Sequence, residues 1–591
     1  MNTYTHSFRS LCIAGVLGAV WAFAPIAHAQ QQVPSRVDVT WNRFYDYDEI
    51  TQIVRDLVDA YPELLTLESI GKSEQGRDMW LITLNNPKTG DASEKPAMYI
   101  DGNVHGNEIQ AAETVLYSIW YLTKSYGEVE PLTDLMDRVS FYFLPSQNPD
   151  GRAEWFANPN SPHSARTGQR PTDNDYDGLF DEDGPEDLDG DGSITQMWRF
   201  DPNGRYRRNE IDPRIIERTP EGVKGELSRV GSEGIDNDGD GRINEDGRGG
   251  YDMNRNWASD WQPNYIQYGA GDYPFDRPEA NAVAQFVLKH PNIAAGQSYH
   301  NTGGMLLRGP GASYLGDLYP RSDRMVYDAL GEAGEDLLPY YNYMVIHADL
   351  YTVHGGFVNW LAEGLGIPSF TNELWTDRRI MPDPSREFTD KERMYWQDRM
   401  LFGQTFTDYT EYDHPTLGKV LIGGGTKYSS RVTPPFMLEE GAHRNFAFTM
   451  FHAGSMPQID FKWIGIESLG DGLWEITVEI ENTKIIPTRM ALAAKKHIGF
   501  PDLFTLNGPD VVLSGTLSDR FDKTISPVED RPEMMFVERG IPGKGMSTFR
   551  FIVKGENGEM VTLHYAAEKA RDIETRFSLK EQEIIAETQD D

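Results

Sequence analysis

The sequence predicts an α/β fold, a mixed sheet covered by helices, interrupted by an Asp-rich insertion and followed by a C-terminal β-sandwich. Three observations carry this expectation. Strand-like and helix-like patterns alternate from about residue 46 to 144 and resume from 278 to 412. Between them, residues 153–250 are dominated by Gly, Asp, Asn and Pro and sustain no amphipathic period. After His414-Pro415 the rhythm changes to short apolar or alternating runs separated by glycine turns.

Taken in order, Ile50, Ile53, Leu57 and Leu64 fall near helical spacing and predict a helix over 46–65. Trp80–Leu84 and Ala97–Ile100 read as strands, Glu108–Leu122 as a helix and Val139–Leu144 as another strand. The insertion reads as loops. Beyond it come a helix over Pro278–Leu288 and a strand over Ala294–Tyr299. Phe461–Ile466, Leu473–Ile480, Thr548–Val553 and Met560–Tyr565 are the clearest sandwich strands. The expected division is residues 1–29, a first domain over 30–412 with the insertion at 153–250, and a sandwich over 413–591.

Composition limits the partners. The chain has 591 residues, 39 % hydrophobic, with a net charge of -37. A core of ordinary size can form, whereas nucleic acid and anionic membrane surfaces both call for a positive face. Arg9, the apolar stretch Leu11–Ala24 and Ala27-His28-Ala29 have the order of an export signal with its cleavage site, which predicts a secreted or periplasmic protein. The single cysteine, Cys12, lies inside that stretch, so the mature chain is expected to contain none. The short spacer before the first helix leaves no room for a folded N-terminal prodomain. No other apolar run reaches the roughly 18 residues of a membrane span.

Three local motifs carry chemistry. In Tyr99-Ile-Asp-Gly-Asn-Val-His105-Gly-Asn-Glu108, a strand delivers His105 into a turn and Glu108 opens a helix. His-x-x-Glu lets an imidazole and a carboxylate grip one metal, and zinc accepts such a set. A surface histidine and a helix-starting acid explain the same pattern when it stands alone. His300 ends an apolar strand, Gly296-Gln-Ser-Tyr-His300, and a distant third ligand is normal where a sheet gathers strand ends. Glu373 closes the apolar Gly366–Glu373 segment, where a charged group needs a partner or a task such as general base catalysis.

In this order the motifs resemble the zinc metallocarboxypeptidases related to carboxypeptidase A, over about Tyr45–Tyr412 apart from the insertion. Asn148-Pro-Asp-Gly151, Asp252-Met-Asn254-Arg255-Asn-Trp257, Tyr351-Thr-Val-His-Gly355-Gly356 and Trp198-Arg199 are similar to further family segments, and Glu373 follows Tyr351 by 22 residues, in the family register. The resemblance implies one catalytic Zn2+ on His105, Glu108 and His300, and Glu373 as the base. It implies Arg199 beside the scissile carbonyl, Asn254, Arg255 and Tyr351 on the terminal carboxylate, and Asp252 hydrogen-bonded to His105. A planar guanidinium suits a carboxylate in two-point contact. By register Ile346, Val358 and Thr371 line the pocket for the terminal side chain. None is charged, which predicts apolar or aromatic C-terminal residues of peptides or proteins as substrate. Asn107 departs from the arginine many relatives carry.

The insertion contains Asp173-Asn-Asp175-Tyr-Asp177-Gly178, Asp187-Leu-Asp189-Gly-Asp191-Gly192 and Asp236-Asn-Asp238-Gly-Asp240-Gly241. Alternating carboxylates before a turn glycine resemble calcium loops and predict structural Ca2+. The acid at the twelfth place is missing from all three. Asp181, Asp183, Asn244 and Asp246 stand near enough in sequence to complete the shells. Competing readings are a zinc amidohydrolase acting on cell-wall peptides or acyl-amino acids, and a calcium-dependent binding protein without catalysis.

Overall fold

The computed structural model describes residues 33–585 other than 382, 523 and 529; the export-signal segment 1–29, Cys12 included, lies outside the described residues. At the centre is an eight-stranded mixed sheet. Its strands are β1 (Leu65–Lys72), β2 (Asp78–Leu84), β3 (Ala97–Gly102), β4 (Ser140–Leu144), β5 (Ile293–Asn301), β6 (Met305–Arg308), β7 (Asn342–Val345) and β8 (Ser369–Leu374). They lie in the order β1-β2-β4-β3-β5-β8-β6-β7. The four inner strands β4, β3, β5 and β8 run parallel. Strands β3, β4 and β5 are buried along their whole length, because helices cover both faces of a parallel sheet.

Alternation along β3 shows the two faces. Met98 and Ile100 join a core with α1 (Tyr47–Ala60), α2 (Gln110–Ser125) and a later helix, α3 (Leu438–Gly454). Ala97 and Tyr99 face the opposite layer, which holds the helix Pro278–Lys289 and the segment Phe357–Leu361. Helix α1 begins with a capping box, Asp46 with Glu49, and buries Ile50, Val54 and Leu57. It ends at Ala60 rather than 65, because Pro62 disfavours helical backbone at Tyr61. Leu64 therefore precedes β1, an edge strand whose mixed burial gave little period to read.

Two boundaries differ from expectation. The insertion is not all loop: Gln196–Phe200, Tyr206–Arg208, Ile216–Arg218 and Leu227–Ser232 form a six-stranded antiparallel sheet with the hairpin Phe406–His414 and Gly418–Gly425. That hairpin does not open the sandwich. Period-2 alternation identifies a strand but not its partner, and three of the insertion strands are short and partly exposed. Further on, α3 packs Ala442, Phe446, Phe448, Met450 and Ala453 into the same core as α2. The first domain thus continues past 412, to about 457 where the strand Ile459–Gly470 begins. The remaining chain forms a six-stranded and a four-stranded sheet around Ile476, Val478, Phe504, Phe549, Phe551, Leu563 and Tyr565.

Candidate active site

The site lies where β3, β5 and β8 end, at the C-terminal edge on which an open α/β sheet gathers its loops. Beyond Gly102, Asn103 takes a left-handed φ of 58° and its Nδ2 donates to the carbonyls of His105 (2.7 Å) and Gly106 (3.1 Å). Arg152, fully buried on the short helix Pro149–Ala157, donates to Asn103 Oδ1 at 3.2 Å and Ile109 O at 2.8 Å, and pairs with buried Glu113. Gly106 donates its N–H to Arg166 O at 2.9 Å. A Cβ at 106 would stand 2.3 Å from Ala165 O, so the close approach requires glycine.

This loop and β5 bring His105, Glu108 and His300 together, all three buried. His105 Nδ1 lies 3.0 Å from Glu108 Oε1, His300 Nδ1 2.9 Å from Glu108 Oε2, and the two Nδ1 atoms are 3.2 Å apart. Donors about 2.0–2.1 Å from one tetrahedral ion stand roughly 3.3 Å from each other. The spacing and the two-nitrogen, one-carboxylate chemistry therefore fit zinc. His105 Nε2 sits 3.0 Å from Asp252 Oδ1. A carboxylate there keeps the proton on Nε2 and turns the Nδ1 lone pair inward. Burial works against ionisation of Glu108 and of Asp252, but the nearby imidazoles and guanidiniums prevail: His105, Arg166 and His300 hold Glu108, and His105, Arg255 and Arg166 hold Asp252, well below the ordinary carboxylate range.

Glu373 on β8 is the register partner of His300 on β5. Parallel partners present their side chains on one face, so the fourth acid stands beside the donor set. Burial and the charge of Glu108 push its carboxyl up to about 7, against the pull of His300, Arg166 and Arg431. Two nearby carboxyls are driven in opposite directions, the arrangement expected of a ligand beside a base.

Two arginines that the sequence did not point to enter the site. Arg166 Nη1 donates to Glu108 Oε1 at 2.6 Å, and its Nη2 lies 3.8 Å from Asp252 Oδ2. Its side chain remains 32 % exposed, so a ligand can reach it. Arg431 donates to Glu108 Oε1 (3.1 Å) and Asn301 O (2.5 Å). Arg199, expected beside the carbonyl, pairs instead with Asp201. It lies on the antiparallel strand Gln196–Phe200 of the insertion sheet, 54 % exposed, 3.8 Å from Asp201, and the acids of the site are influenced by Arg166, Arg255 and Arg431 instead. Strand pairing with Val420 and Ser228 holds Arg199 in the insertion sheet.

Asn254 and Arg255 sit one turn past Asp252. Asn254 Oδ1 accepts the N–H of Phe357 at 2.9 Å, and its Nδ2 lies 3.5 Å from His300 Nε2. Arg255 is 8 % exposed, and Nη1, donating to Asn254 O at 2.6 Å, is its only guanidinium nitrogen with a hydrogen bond among the described residues. Gly355, at φ 62°, packs so tightly that a Cβ would stand 2.3 Å from Arg255 O. Tyr351, four residues earlier, is 59 % exposed on the same loop. Ile346 and Val358 are buried in the cluster with Trp257, Leu307 and Phe357. Thr371 is two residues before Glu373 and opposite Leu307, hence on the same face. Asn107 spends its Nδ2 on Pro162 O at 2.8 Å. Asp150 of the Asn148–Gly151 segment is bound by Ser73, Gln75 and Arg77, a structural use. Next to the donor set opens a cavity of about 1140 Å³, bordered by Thr302, Gly303, Trp375, Phe388, Tyr428 and Arg431.

The carboxylates of all three Asp-rich runs accept N–H groups of their own turns, and the first and third runs also meet each other. Asp175 of the first run converges with Asp238 and Asp240 of the third, Asp173 and Asp175 with Asp246, and Asp175 and Asp177 with Glu182. Asp236 accepts N–H groups of its own turn, from Gly239 and Gly241. In the second run Asp187 and Asp189 likewise accept from their own loop, and Asp191 accepts from Thr407.

Comparison with known proteins gives the following. The sequence model of a family described as zinc carboxypeptidase matches residues 50–398, and a domain of unknown function matches 458–578. Carboxypeptidase B of Astacus astacus is 35 % identical over 116 residues, 20 % of this chain and 36 % of that protein. Carboxypeptidase D of Homo sapiens is 33 % identical over 108 residues, 18 % of this chain and 8 % of that protein. The match thus spans well under two thirds of either relative. The crystal structure of carboxypeptidase A from Helicoverpa armigera aligns with a TM-score of 0.42 at 16 % identity, covering 71 % of this chain and 75 % of that one.

Proposed function

The chain belongs to the zinc carboxypeptidase family, and on that premise we propose that it is an exported metallocarboxypeptidase removing single residues from peptide C-termini. The observation that carries this reading is the juxtaposition of a converged His105, Glu108 and His300 with Glu373, the register partner of His300. A non-catalytic binding protein has no need of that fourth acid.

His105, Glu108 and His300 would hold the zinc ion, which supplies Lewis acidity toward the scissile carbonyl and lowers the pKa of water. Glu373 takes the proton from the attacking water and returns it to the departing amine. Arg166, reachable and beside Glu108, is the cation available to the carbonyl oxygen as negative charge builds there. Arg255, with Asn254 and the exposed Tyr351, binds the terminal carboxylate, and Asp252 keeps His105 in the right tautomer. The cavity beyond Thr302 and Arg431 takes peptide residues upstream of the scissile bond.

Two assignments of the carbonyl arginine make opposite predictions. Arg166→Ala lowers kcat by about 10²–10³-fold, the usual effect of removing one such donor, while Arg199→Ala stays within about twofold of wild type. Steady-state kinetics on one peptide decide, and the reverse ranking sinks the assignment of Arg166.

Ile346, Val358 and Thr371 offer no charge to a basic side chain, so Phe- and Leu-terminated peptides are released faster than Lys- and Arg-terminated ones. A residue-release profile on a peptide library tests this together with the exopeptidase reading; faster release of Lys or Arg overturns the preference. Export rests on Arg9, the apolar stretch and Ala27-His28-Ala29; the intact mass of the exported chain should begin at Gln30. The three Asp-rich runs are, on the same reading, calcium loops, because their donors are hard oxygens without nitrogen or sulfur.

A further inference from the structure

The first and third Asp-rich runs lie side by side although some 60 residues separate them. Asp246 donates its N–H to Asp183 O at 3.0 Å, and Thr172 Oγ1 donates to Gly247 O at 2.6 Å. Asp173, Asp175 and Asp246 bring carboxylate oxygens within 4.8 Å of one another, and so do Asp183, Asp238 and Glu245. These two groups share no residue. A third, Asp175 with Asp238 and Asp240, joins them.

A crowd of acids is unremarkable when water solvates it. Here it does not. Asp246 is 1 % exposed and its Oδ2 has no hydrogen-bond partner among the described residues. Both carboxylate oxygens of Glu245 are likewise inaccessible and without a donor, and so are both of Glu182, which groups with Asp175 and Asp177. An ionised carboxylate in such a place is costly unless a cation meets it. The side chains of Arg242 and Arg248 touch only the rim, at Asp240 (3.7 Å) and Asp181 (3.1 Å), and are 67 % and 53 % exposed.

We propose that the two runs together hold at least two calcium-class cations in one shared cluster, one centre at Asp173, Asp175 and Asp246 and the other at Asp183, Asp238 and Glu245. Each centre contains an acid from outside the repeating motif with an inaccessible, unsatisfied oxygen: the buried Asp246 in one, the half-buried Glu245 in the other. That acid takes the place of the missing carboxylate at the twelfth loop position. An all-oxygen, multiply anionic set suits Ca2+; zinc prefers nitrogen or sulfur, and Mg2+ keeps most of its water.

The cluster acts as a staple. Asp173 follows Arg166 by seven residues, and Asp252 follows Asp246 by six. Cations joining the runs hold both approaches to the donor set in register. The centre depends on the cation reading of these runs and is independent of which bond the active site cuts.

Calcium content and melting of the full-length chain test it, with no assay of turnover. After dialysis against calcium, the wild-type chain retains at least two Ca2+; a calcium-selective chelator strips them and lowers Tm by about 5 °C or more, reversed by added Ca2+. Asp246→Asn and Glu245→Gln each retain about one Ca2+ fewer than wild type, while Asp187→Asn in the second run keeps both cluster ions. Fewer than two ions in wild type, no chelator effect on Tm, or unchanged calcium in both cluster variants overturns the proposal. If a variant does not fold, the wild-type count and melting shift still decide it.

Discussion

Glu373→Gln lowers kcat by about 10³–10⁴-fold while zinc content stays at the wild-type value. Glutamine preserves the volume and can accept a hydrogen bond, but it cannot take a proton from water. Positioned acid–base groups contribute about 10²–10⁴-fold, and a residue serving both water activation and amine departure belongs at the upper end. Zinc retention separates this from loss of the site, because the donors are His105, Glu108 and His300, and Glu373 is only their neighbour. The metal-free chain gives a second reading. In the folded state Glu373 is raised to about 7 by burial and by Glu108, against about 4.3 when unfolded. Its contribution to stability is complete below about pH 4.3 and is lost as pH rises through 7. After chelation, Glu373→Gln therefore melts above wild type at pH 8, and the gap closes as the pH falls toward 4. More than a tenth of wild-type turnover in the variant, with zinc bound, would end the base assignment.

What the sequence made readable follows from range. His105 and Glu108 lie three residues apart on one turn, and His300 and Glu373 each terminate an apolar strand, so local pattern points to all four. The parallel core was readable for the same reason: β3, β4 and β5 each carry a short apolar run and are buried along their whole length. Arg166 was not, since nothing around it repeats; it becomes part of the site only through the Gly106–Arg166 backbone pair and its contact with Glu108. Arg431 was hidden by a misplaced boundary, because the hairpin 406–425 looks like any sandwich strand pair until its partner strand Gln196–Phe200 is known. Arg152 and Asn103 shape the metal loop entirely through hydrogen bonds to backbone carbonyls and to one another, which leave no periodic trace. Asp246 and Glu245 show the same limit in the insertion: the shielding of their carboxylate oxygens depends on a second run far away in sequence.

Arg255→Lys reduces kcat/KM on peptides with a free C-terminus by about 10²–10³-fold and leaves the slow cleavage of C-terminally amidated analogues within about twofold. The argument begins with what the guanidinium lacks. Arg255 is 8 % exposed, yet it makes a single hydrogen bond, to the carbonyl of Asn254. A mostly buried cation with unused N–H groups gains from a ligand that completes it, and a carboxylate matches the unused fork in two-point contact. Lysine keeps the charge and loses the fork, so the loss measures geometry rather than net attraction. Disrupting such a charge pair in a desolvated setting costs about 2–5 kcal/mol, the source of the expected range. The amidated analogue has no carboxylate to present, so it never gains from Arg255 and is indifferent to the substitution. A misfolded or zinc-depleted variant lowers both substrates together. If the free and amidated peptides fall in parallel while zinc and Tm are unchanged, Arg255 supports the loop under Gly355 and the terminal carboxylate is recognised elsewhere.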